Sequence, residues 1–366
     1  MKSRQLVTFE HVDDGAEVLI VTSGWPNSDD ETYCVFIKRQ VESLLALGLR
    51  CDVLFIRGYR SPLAYGVAAL KLVRWSRGRR RPYRLVHAHS GEAALAAAFY
   101  RNAPLLVSYL GDDLLGTPRA DGAVPLHSRL RRGVFRQHAR LANRTITKTH
   151  EMEQALPHPV RRRNTVLPNG VDTELFRPIN RAAARDQLGW KALERVALFA
   201  GDPKVPRKRF WLAQAAVQRA QPEVPNLRLE VAVGVEPDRI PLLMNAADCL
   251  LLTSSIEGSP NVVKEALMCN LPVVATPAGD VAELLDGVEP AYVCEPNVHA
   301  ISVALVDCLR KQRRSDGRER SGRLDSRTIA EKLLRLYQQL VPGIELKLRT
   351  GQAFETIPSA ASNHVR

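Results

Sequence analysis

Two apolar rhythms alternate along the chain. Short runs rich in Val, Ile and Leu, closed by Gly, Pro or Ser, have the character of strands buried on both faces. Between them, apolar residues recur with helical spacing. The run Val18-Leu19-Ile20-Val21, closed by Thr22-Ser23-Gly24-Trp25-Pro26, is the first clear strand. A helix follows over 35–47, with Gly48 just past its end, where glycine commonly stops a helix. The cycle then repeats: strand 52–56, helix 63–75, strand Leu85–His89, helix 92–100, strand 105–109, then strands 145–147 and 165–167. After Pro178 and a polar stretch rich in Arg and Ala, a second series opens with a strand over 196–200. It continues through helix Phe210–Ala220, strand 227–233, helix 241–246, strand Cys249–Leu252, helix Asn261–Met268 and strand Val273–Ala275. A strand near Tyr292-Val293 and a helix over 298–309 complete it.

Strands and helices alternating at these lengths build βαβ units and parallel sheets. The expected fold class is α/β, with two doubly wound, Rossmann-like parallel-sheet domains. The halves join near 168–178, which places the expected domains at 1–175 and 176–325. An amphipathic helix over 326–342 is expected to pack back on the first domain, and 343–366 to form a loose tail. Two segments are too basic and polar for core. One is 77–84, with Arg77, Arg79, Arg80 and Arg81 after an apolar helix, and the other is 311–323.

Composition sets limits. The 366 residues are 45% hydrophobic and 25% charged, ordinary values for a globular protein with sizeable cores. A formal net charge of +13 implies an anionic partner. Nucleic acid, an acidic membrane leaflet and a phosphorylated substrate all qualify, and the charge does not choose among them. The six cysteines form no CxxC pair and no cluster with metal-ligand spacing. They read as reduced core residues of a reducing compartment. Residues 1–14 contain no apolar signal region, and no apolar stretch approaches the length of a membrane span. The expectation is a cytoplasmic protein, with a peripheral place on the cytosolic face of the inner membrane kept open.

The most informative stretch is Ser254-Ser255-Ile256-Glu257-Gly258-Ser259-Pro260-Asn261-Val262-Val263-Lys264-Glu265-Ala266-Leu267. It leaves a buried strand and opens a helix. Ser259 suits the N-cap and Pro260 the first helical position. The free amides of Asn261, Val262 and Val263, with the helix dipole, then make an anion site at the carboxyl end of a parallel strand. A diphosphate fits there. Glu257 and Glu265 flank it, and carboxylates beside a phosphate site are best explained as acceptors for sugar or ribose hydroxyls. For two glutamates alone, a solvated helix residue and a helix-dipole partner would be the better reading; the Gly-Ser-Pro helix start between them reverses that preference.

This stretch, followed by Pro272-Val273-Val274-Ala275-Thr276, resembles the E-x7-E signature of family 4 glycosyltransferases. The resemblance implies a GT-B fold, two such domains facing across a cleft. It implies a retaining transfer from a nucleoside-diphosphate sugar, with Glu265 on the ribose hydroxyls and Glu257 on those of the transferred sugar. The amides near Asn261 and Val262 would hold the distal phosphate, with Gly258 and Ser259 also among the donor-binding residues. Supporting similarities are Pro168-Asn169-Gly170-Val171-Asp172 at the domain junction and Asn245-Ala246-Ala247-Asp248 before a strand. The loop Gly201-Asp202-Pro203-Lys204-Val205-Pro206-Arg207-Lys208-Arg209 is where the family places a cation against the donor diphosphate. Lys208 matches best, with Arg209 second, although a solvated basic loop would look the same in isolation.

On the acceptor side the similar positions are Gly24, His89 and Asp112. Gly24 ends the first strand, and His89 ends Val86-His87-Ala88-His89 facing the cleft, with His87 nearer the core. The family usually has Gly where Cys34 stands and His where Leu110 stands. Asp112 and Asp113 either take over from that His or cap the next turn. They are not a DxD metal motif, and neither metal nor other cofactor is expected.

In the mechanism the resemblance implies, Glu257 supports a positive, sugar-like transition state and Lys208 and Arg209 help the nucleoside diphosphate leave. The acceptor hydroxyl attacks on the same face. A membrane patch at Arg77, Arg79, Arg80 and Arg81 would suit a saccharide or lipid-linked acceptor of cell-surface polysaccharide assembly. A catalytically impaired, basic scaffold on the same fold is the alternative. A dinucleotide-dependent dehydrogenase lacks its G-x-G-x-x-G, and nucleic acid lacks an RNA-binding aromatic motif.

Overall fold

A computed structural model describes residues 6–11, 15–78, 82–117, 123–344 and 346. The chain forms two compact units. The first comprises the described residues up to Gly116, Arg129–Pro168 and those from Arg327 onward. The second comprises the described part of Thr117–Ser128 and Asn169–Ser326. The junction at Pro168 and Asn169 comes earlier than the expected 175/176.

The first unit is built on a seven-stranded sheet. In chain order its strands are β1 (Val7–Glu10), β2 (Val18–Thr22), β3 (Cys51–Ile56), β4 (Leu85–His89), β5 (Leu105–Ser108), β6 (Arg144–Thr147) and β7 (Asn164–Val166). Their spatial order is β1-β3-β2-β4-β5-β6-β7, parallel throughout except for the antiparallel edge strand β1. Side chains of β2 alternate between two cores: Leu19 and Val21 on one face, Val18 and Ile20 on the other. Burial on both faces is why such strands read as unbroken apolar runs. β1 escapes that pattern because its four residues are only half buried.

One face is covered by helices Leu63–Gly78, Gly91–Ala97 and Leu126–His138, which contribute Ala64, Ala68 and Leu72, Ala93 and Ala97, and Phe135. The sequence pattern misses the Leu126–His138 helix. It carries Arg129, Arg131, Arg132 and Arg136, its apolar row Leu126, Leu130 and Val134 is exposed, and the buried Phe135 lies off that row, so no core-facing stripe announces it. The other face is covered by Val35–Ala46 and by Ser326–Leu340, whose Ile329, Leu333 and Tyr337 are buried on the first sheet's core.

The second unit has a five-stranded, wholly parallel sheet in the order β12-β11-β10-β8-β9. The strands are β8 (Arg195–Ala200), β9 (Leu227–Ala232), β10 (Cys249–Leu252), β11 (Val273–Ala275) and β12 (Ala291–Val293). Helices cover both faces here too, Asn261–Met268 on one and Phe210–Ala220 with Val298–Lys311 on the other. The doubly wound α/β class expected from the alternation is what both units show.

The basic segment 311–323, too polar for core by composition, is nevertheless tied into the second unit. Arg314 donates to the carbonyls of Met244, Ala247 and Cys269, and Arg318 to those of Thr173, Phe176 and Met268. Arg79, Arg80 and Arg81 lie outside the described residues. No described helix is long and apolar enough to cross a membrane.

The Ser326–Leu340 helix is locked to the sheet by one polar contact. Tyr337 and His87 are both fully buried, and the phenol and His87 Nδ1 lie 2.6 Å apart, while His87 Nε2 meets Ser108 Oγ at 2.8 Å. Tyr337→Phe leaves a buried ring nitrogen unpaired. It should lower unfolding free energy by about 1–3 kcal/mol, read from the urea midpoint at unchanged m-value.

Candidate functional site

The second unit brings three loops to one edge. β8, β10 and β11 are neighbours and parallel, so their carboxyl ends fall together. The loops leaving them carry residues 201–209, 253–260 and 276–280. Thr253 Oγ donates to the Lys208 carbonyl at 2.8 Å, and Thr276 Oγ to the Ser254 carbonyl at 2.7 Å, which sews all three together. Gly279 lies at φ +62°, and a Cβ there would come within 2.1 Å of the Gly258 carbonyl oxygen. The β11 loop can approach the Glu257-Gly258 turn this closely only without a side chain.

Glu257 sits among cations. Lys208 Nζ lies 2.6 Å from Oε1, Arg207 lies 3.1 Å from Oε2, and the Ser254 hydroxyl donates to Oε1 at 2.7 Å. Burial pushes its carboxyl up, but Lys208 and Arg207 outweigh that and hold it below the usual range. The expected pair Glu257 and Lys208 is thus in direct contact. Arg207, which the sequence reading passed over, is the second cation on Glu257. Arg209 is placed differently. At φ +48° it turns its guanidinium onto the carbonyls of Thr253 and Ser254, at 2.7 and 2.9 Å, and onto the Thr276 hydroxyl. These contacts brace the loops.

The helix start is also corrected. The N-cap is Pro260, at φ −67° and ψ 114°, and the helix begins at Asn261. Ser259 therefore does not cap it, and its buried Oγ has no hydrogen-bond partner. The Val263 amide donates to the Pro260 carbonyl at 3.2 Å, leaving the Asn261 and Val262 amides, not all three, at the open end. Glu265 is half buried, a turn further along this helix. Gly258 is buried in the turn against Gly279.

In the first unit, the expected acceptor-side residues occupy the carboxyl edge of its own sheet. Thr22, His89 and Ser108 stand in register on β2, β4 and β5. His89 is 2% exposed, with its ring 4.2 Å from that of His87. Burial, and then the buried Lys148 nearby, push its pKa down to about 3, so the imidazole is neutral at ordinary pH. Lys148, on the loop after β6, had no motif to mark it. Gly24 does not open onto the edge: it is buried, and a Cβ there would strike the Cys34 sulfur at 2.4 Å. Cys34 itself adopts φ 52°, the left-handed conformation that glycine takes most easily. Asp113 is the capping member of the acidic pair. It is buried and accepts from the amides of Gly91, Leu110, Gly111 and Leu114 at 3.0–3.2 Å. Asp112 is exposed and pairs with Arg131 at 3.1 Å. Leu110 packs against the core.

Comparison with known proteins agrees with this architecture. Residues 8–175 match the family Glycosyltransferase Family 4, and residues 192–311 match Glycosyl transferases group 1. A D-inositol 3-phosphate glycosyltransferase from Segniliparus rotundus is 33% identical over 155 residues, 34% of each chain. One from Saccharomonospora viridis is 29% identical over 224 residues, 50% of this chain and 51% of that one. The chain thus spans between a third and about half the length of the curated relatives it matches. Among solved structures, a sucrose-phosphate synthase from Thermosynechococcus elongatus superposes with a TM-score of 0.68 at 18% identity, over 88% of this chain and 98% of that one. Anabaena HepE, in complex with UDP and glucose, superposes with a TM-score of 0.64 at 18% identity, over 88% and 99%. At such identities the likeness is one of fold.

Gly279→Ala tests the junction of the loops. It combines an unfavourable backbone conformation with a clash against main chain. It should destabilise the fold by about 2 kcal/mol or more, seen as a lowered thermal midpoint, whereas Gly189→Ala, at φ +68° with open space around it, should lose only the backbone part.

Proposed function

We propose that this glycosyltransferase is of the family 4 type and moves a sugar from a nucleoside-diphosphate sugar to a saccharide or lipid-linked saccharide with retention of configuration, in cell-surface polysaccharide assembly. The observation that carries the donor reading is the edge formed by the β8, β10 and β11 loops. There, two open helix amides, the buried Ser259 hydroxyl and the Lys208 and Arg207 cations are held by the same three loops. Such a set suits a diphosphate. Structures of Anabaena HepE with UDP and with UDP-glucose support a donor of this class.

Each residue then has a task. The Asn261 and Val262 amides and Ser259 Oγ bind the distal phosphate. Glu265 accepts from ribose hydroxyls. Lys208 and Arg207 stabilise the negative charge that grows on the leaving diphosphate, which is where fixed cations lower a barrier most. Glu257, kept ionised by those cations, faces the positive charge that develops on the sugar. The acceptor hydroxyl attacks from the leaving-group side, and the departing phosphate takes its proton. This scheme assigns the required positive charge to side chains and amides and gives no role to a metal.

One observation favours a second reading. Leu110 is apolar, and its neighbour Asp113 is wholly engaged by amides, so neither replaces the family's His near the sugar. A scaffold that binds the nucleotide sugar without transferring it would have this appearance. Thermal-shift titration with UDP, GDP, ADP and their common sugar conjugates should show stabilisation by one base series, reduced about tenfold in apparent affinity by Glu265→Ala. Hydrolysis or transfer of the stabilising sugar nucleotide, followed by nucleotide release, separates enzyme from scaffold. Absence of any shift at millimolar ligand would end the donor reading.

The partner we propose for the basic charge is an anionic bilayer surface. On the Leu63–Gly78 helix, Leu63, Val67 and Leu70 are 74, 45 and 63% exposed, and Arg74 and Arg77 continue the same stripe. Leu130, Val134 and Leu141 are 63, 53 and 65% exposed on and after the Leu126–His138 helix, flanked by Arg129, Arg132, Arg136 and Arg140. Neither helix contains a carboxylate, and both cover the same face of the first sheet. Apolar rows among arginines are the pattern of helices that lie in a lipid interface. The protein should sediment with vesicles containing phosphatidylglycerol and not with pure phosphatidylcholine. Leu63→Ser with Leu70→Ser should weaken that about tenfold at an unchanged melting temperature; equal binding to neutral vesicles would refute a charge-directed surface.

A further inference from the structure

Neither the motif reading nor the scheme above uses Lys264. It is the fourth residue of the Asn261–Met268 helix and is fully buried. An ammonium is costly to bury unless hydrogen bonds and opposite charge compensate it. Its Nζ donates to the Asn169 carbonyl at 3.0 Å, and the Asn169 amide donates to Asn261 Oδ1 at 3.3 Å. The lysine is thereby tied to the first residue of the helix. Asp280 and Glu265 act on it as opposing charges. Asp280 is 8% exposed, its Oδ1 has no hydrogen-bond partner, and the Ser259 side chain lies close enough to influence it. A cation, two carboxylates and the open helix start therefore share one small, largely dry region. Two carboxylates beside an anion site would weaken it, and a cation beneath the first turn offsets them.

We propose that Lys264 is a positioning residue for the donor. Its buried ammonium offsets Asp280 and Glu265 and keeps the start of the Asn261 helix electropositive enough to hold a nucleoside diphosphate. The inference rests on the reading that this helix start binds the donor diphosphate. It assigns a task to a side chain that lies beneath the helix start and touches no ligand.

Charge makes the idea testable by pH. Burial brings the Lys264 pKa down to about 8, against the pull of Asp280 and Glu265. The groups facing it are Asp280 from the β11 loop, Glu265 from its own helix, and the uncharged Asn169 from the segment after the first unit. Asp280, which burial pushes up to about 6, is ionised above about pH 7. The terminal phosphate of a nucleoside diphosphate has also lost its last proton there. Above its pKa, Lys264 is neutral and ceases to offset the carboxylates. Diphosphate affinity should therefore be full below about pH 8 and decline as pH rises beyond it.

The experiment is calorimetric titration of the full chain with UDP, GDP and ADP, from about pH 7 to about pH 9.5, for wild type, Lys264→Met and Asp280→Asn. Wild-type affinity for the preferred diphosphate should fall about tenfold across this range. Lys264→Met should start about tenfold weaker and lose that slope. In Asp280→Asn the inflection should move to lower pH, because Asp280 helps keep Lys264 protonated. The wild-type profile and the Asp280→Asn shift decide the matter even if Lys264→Met folds poorly. A pH-independent wild-type affinity, an unshifted inflection in Asp280→Asn, or the same slope in Lys264→Met overturns the inference while leaving the donor reading in place. Failure of all three diphosphates to bind wild type overturns both.

Discussion

A buried carboxylate sets the terms for the second unit. Glu257 is held out of water on a turn after β10, and a lone anion there would be expensive. Lys208 and Arg207, at the end of the β8 loop, supply the compensation, and Ser254 adds a hydrogen bond. This is possible because β8 and β10 are parallel neighbours. Parallel pairing delivers residues about fifty positions apart in sequence to the same sheet edge, which is the general reason sites of α/β sheets form there. The same register brings in the β11 loop, where Gly279 lets two main chains nearly touch. Cations, helix start and turn are thus consequences of one pairing order.

The arginine excess divides between two uses. Some of it is structural. Arg185, Arg314 and Arg318 donate to backbone carbonyls at the ends of helices and turns, and Arg84 does the same for Pro342 and Gly343. A guanidinium satisfies several such acceptors at once, which a lysine cannot do in a plane. Leu126–His138 belongs in part to this group, since Arg132 and Arg136 donate to the carbonyls of Leu115 and Leu114 and Arg131 pairs with Glu92 and Asp112. Arg74 and Arg77 stand on the surface of Leu63–Gly78, a helix without carboxylates. The net charge of +13 is therefore not one electrostatic feature.

The first unit has its own economy of polar groups. His87 is kept neutral by burial and held by Tyr337 and Ser108, Asp113 gathers four amides, and Gly24 and Cys34 interlock. His89 and Lys148 are both buried at the carboxyl edge of that sheet, where Lys148 helps lower the His89 pKa. Cys34 and Leu110 are intelligible as packing: Cys34 holds a left-handed backbone against Gly24, and Leu110 joins the core that the Ser326–Leu340 helix completes.

The sequence by itself determined the class of fold and the type of chemistry. Strands buried on both faces must be continuously apolar, so β2, β4, β10 and β11 announce themselves, and their alternation with helices leaves little choice but parallel sheets. The Glu257-to-Glu265 stretch carries its own helix start, because where a helix begins is set within a few residues. Local patterns could not decide contacts between distant residues. The edge strand β1 and the arginine-rich Leu126–His138 helix are stabilised by packing on neighbours, the helix through Phe135 and not through its exposed apolar row. Which cation meets Glu257, that Arg209 braces loops, that Ser259 is not the cap, and that Lys264 lies buried beside Asp280 all depend on loops meeting at a sheet edge. Charges and hydrogen bonds act over a few ångströms of space, and only the tertiary fold brings those ångströms about.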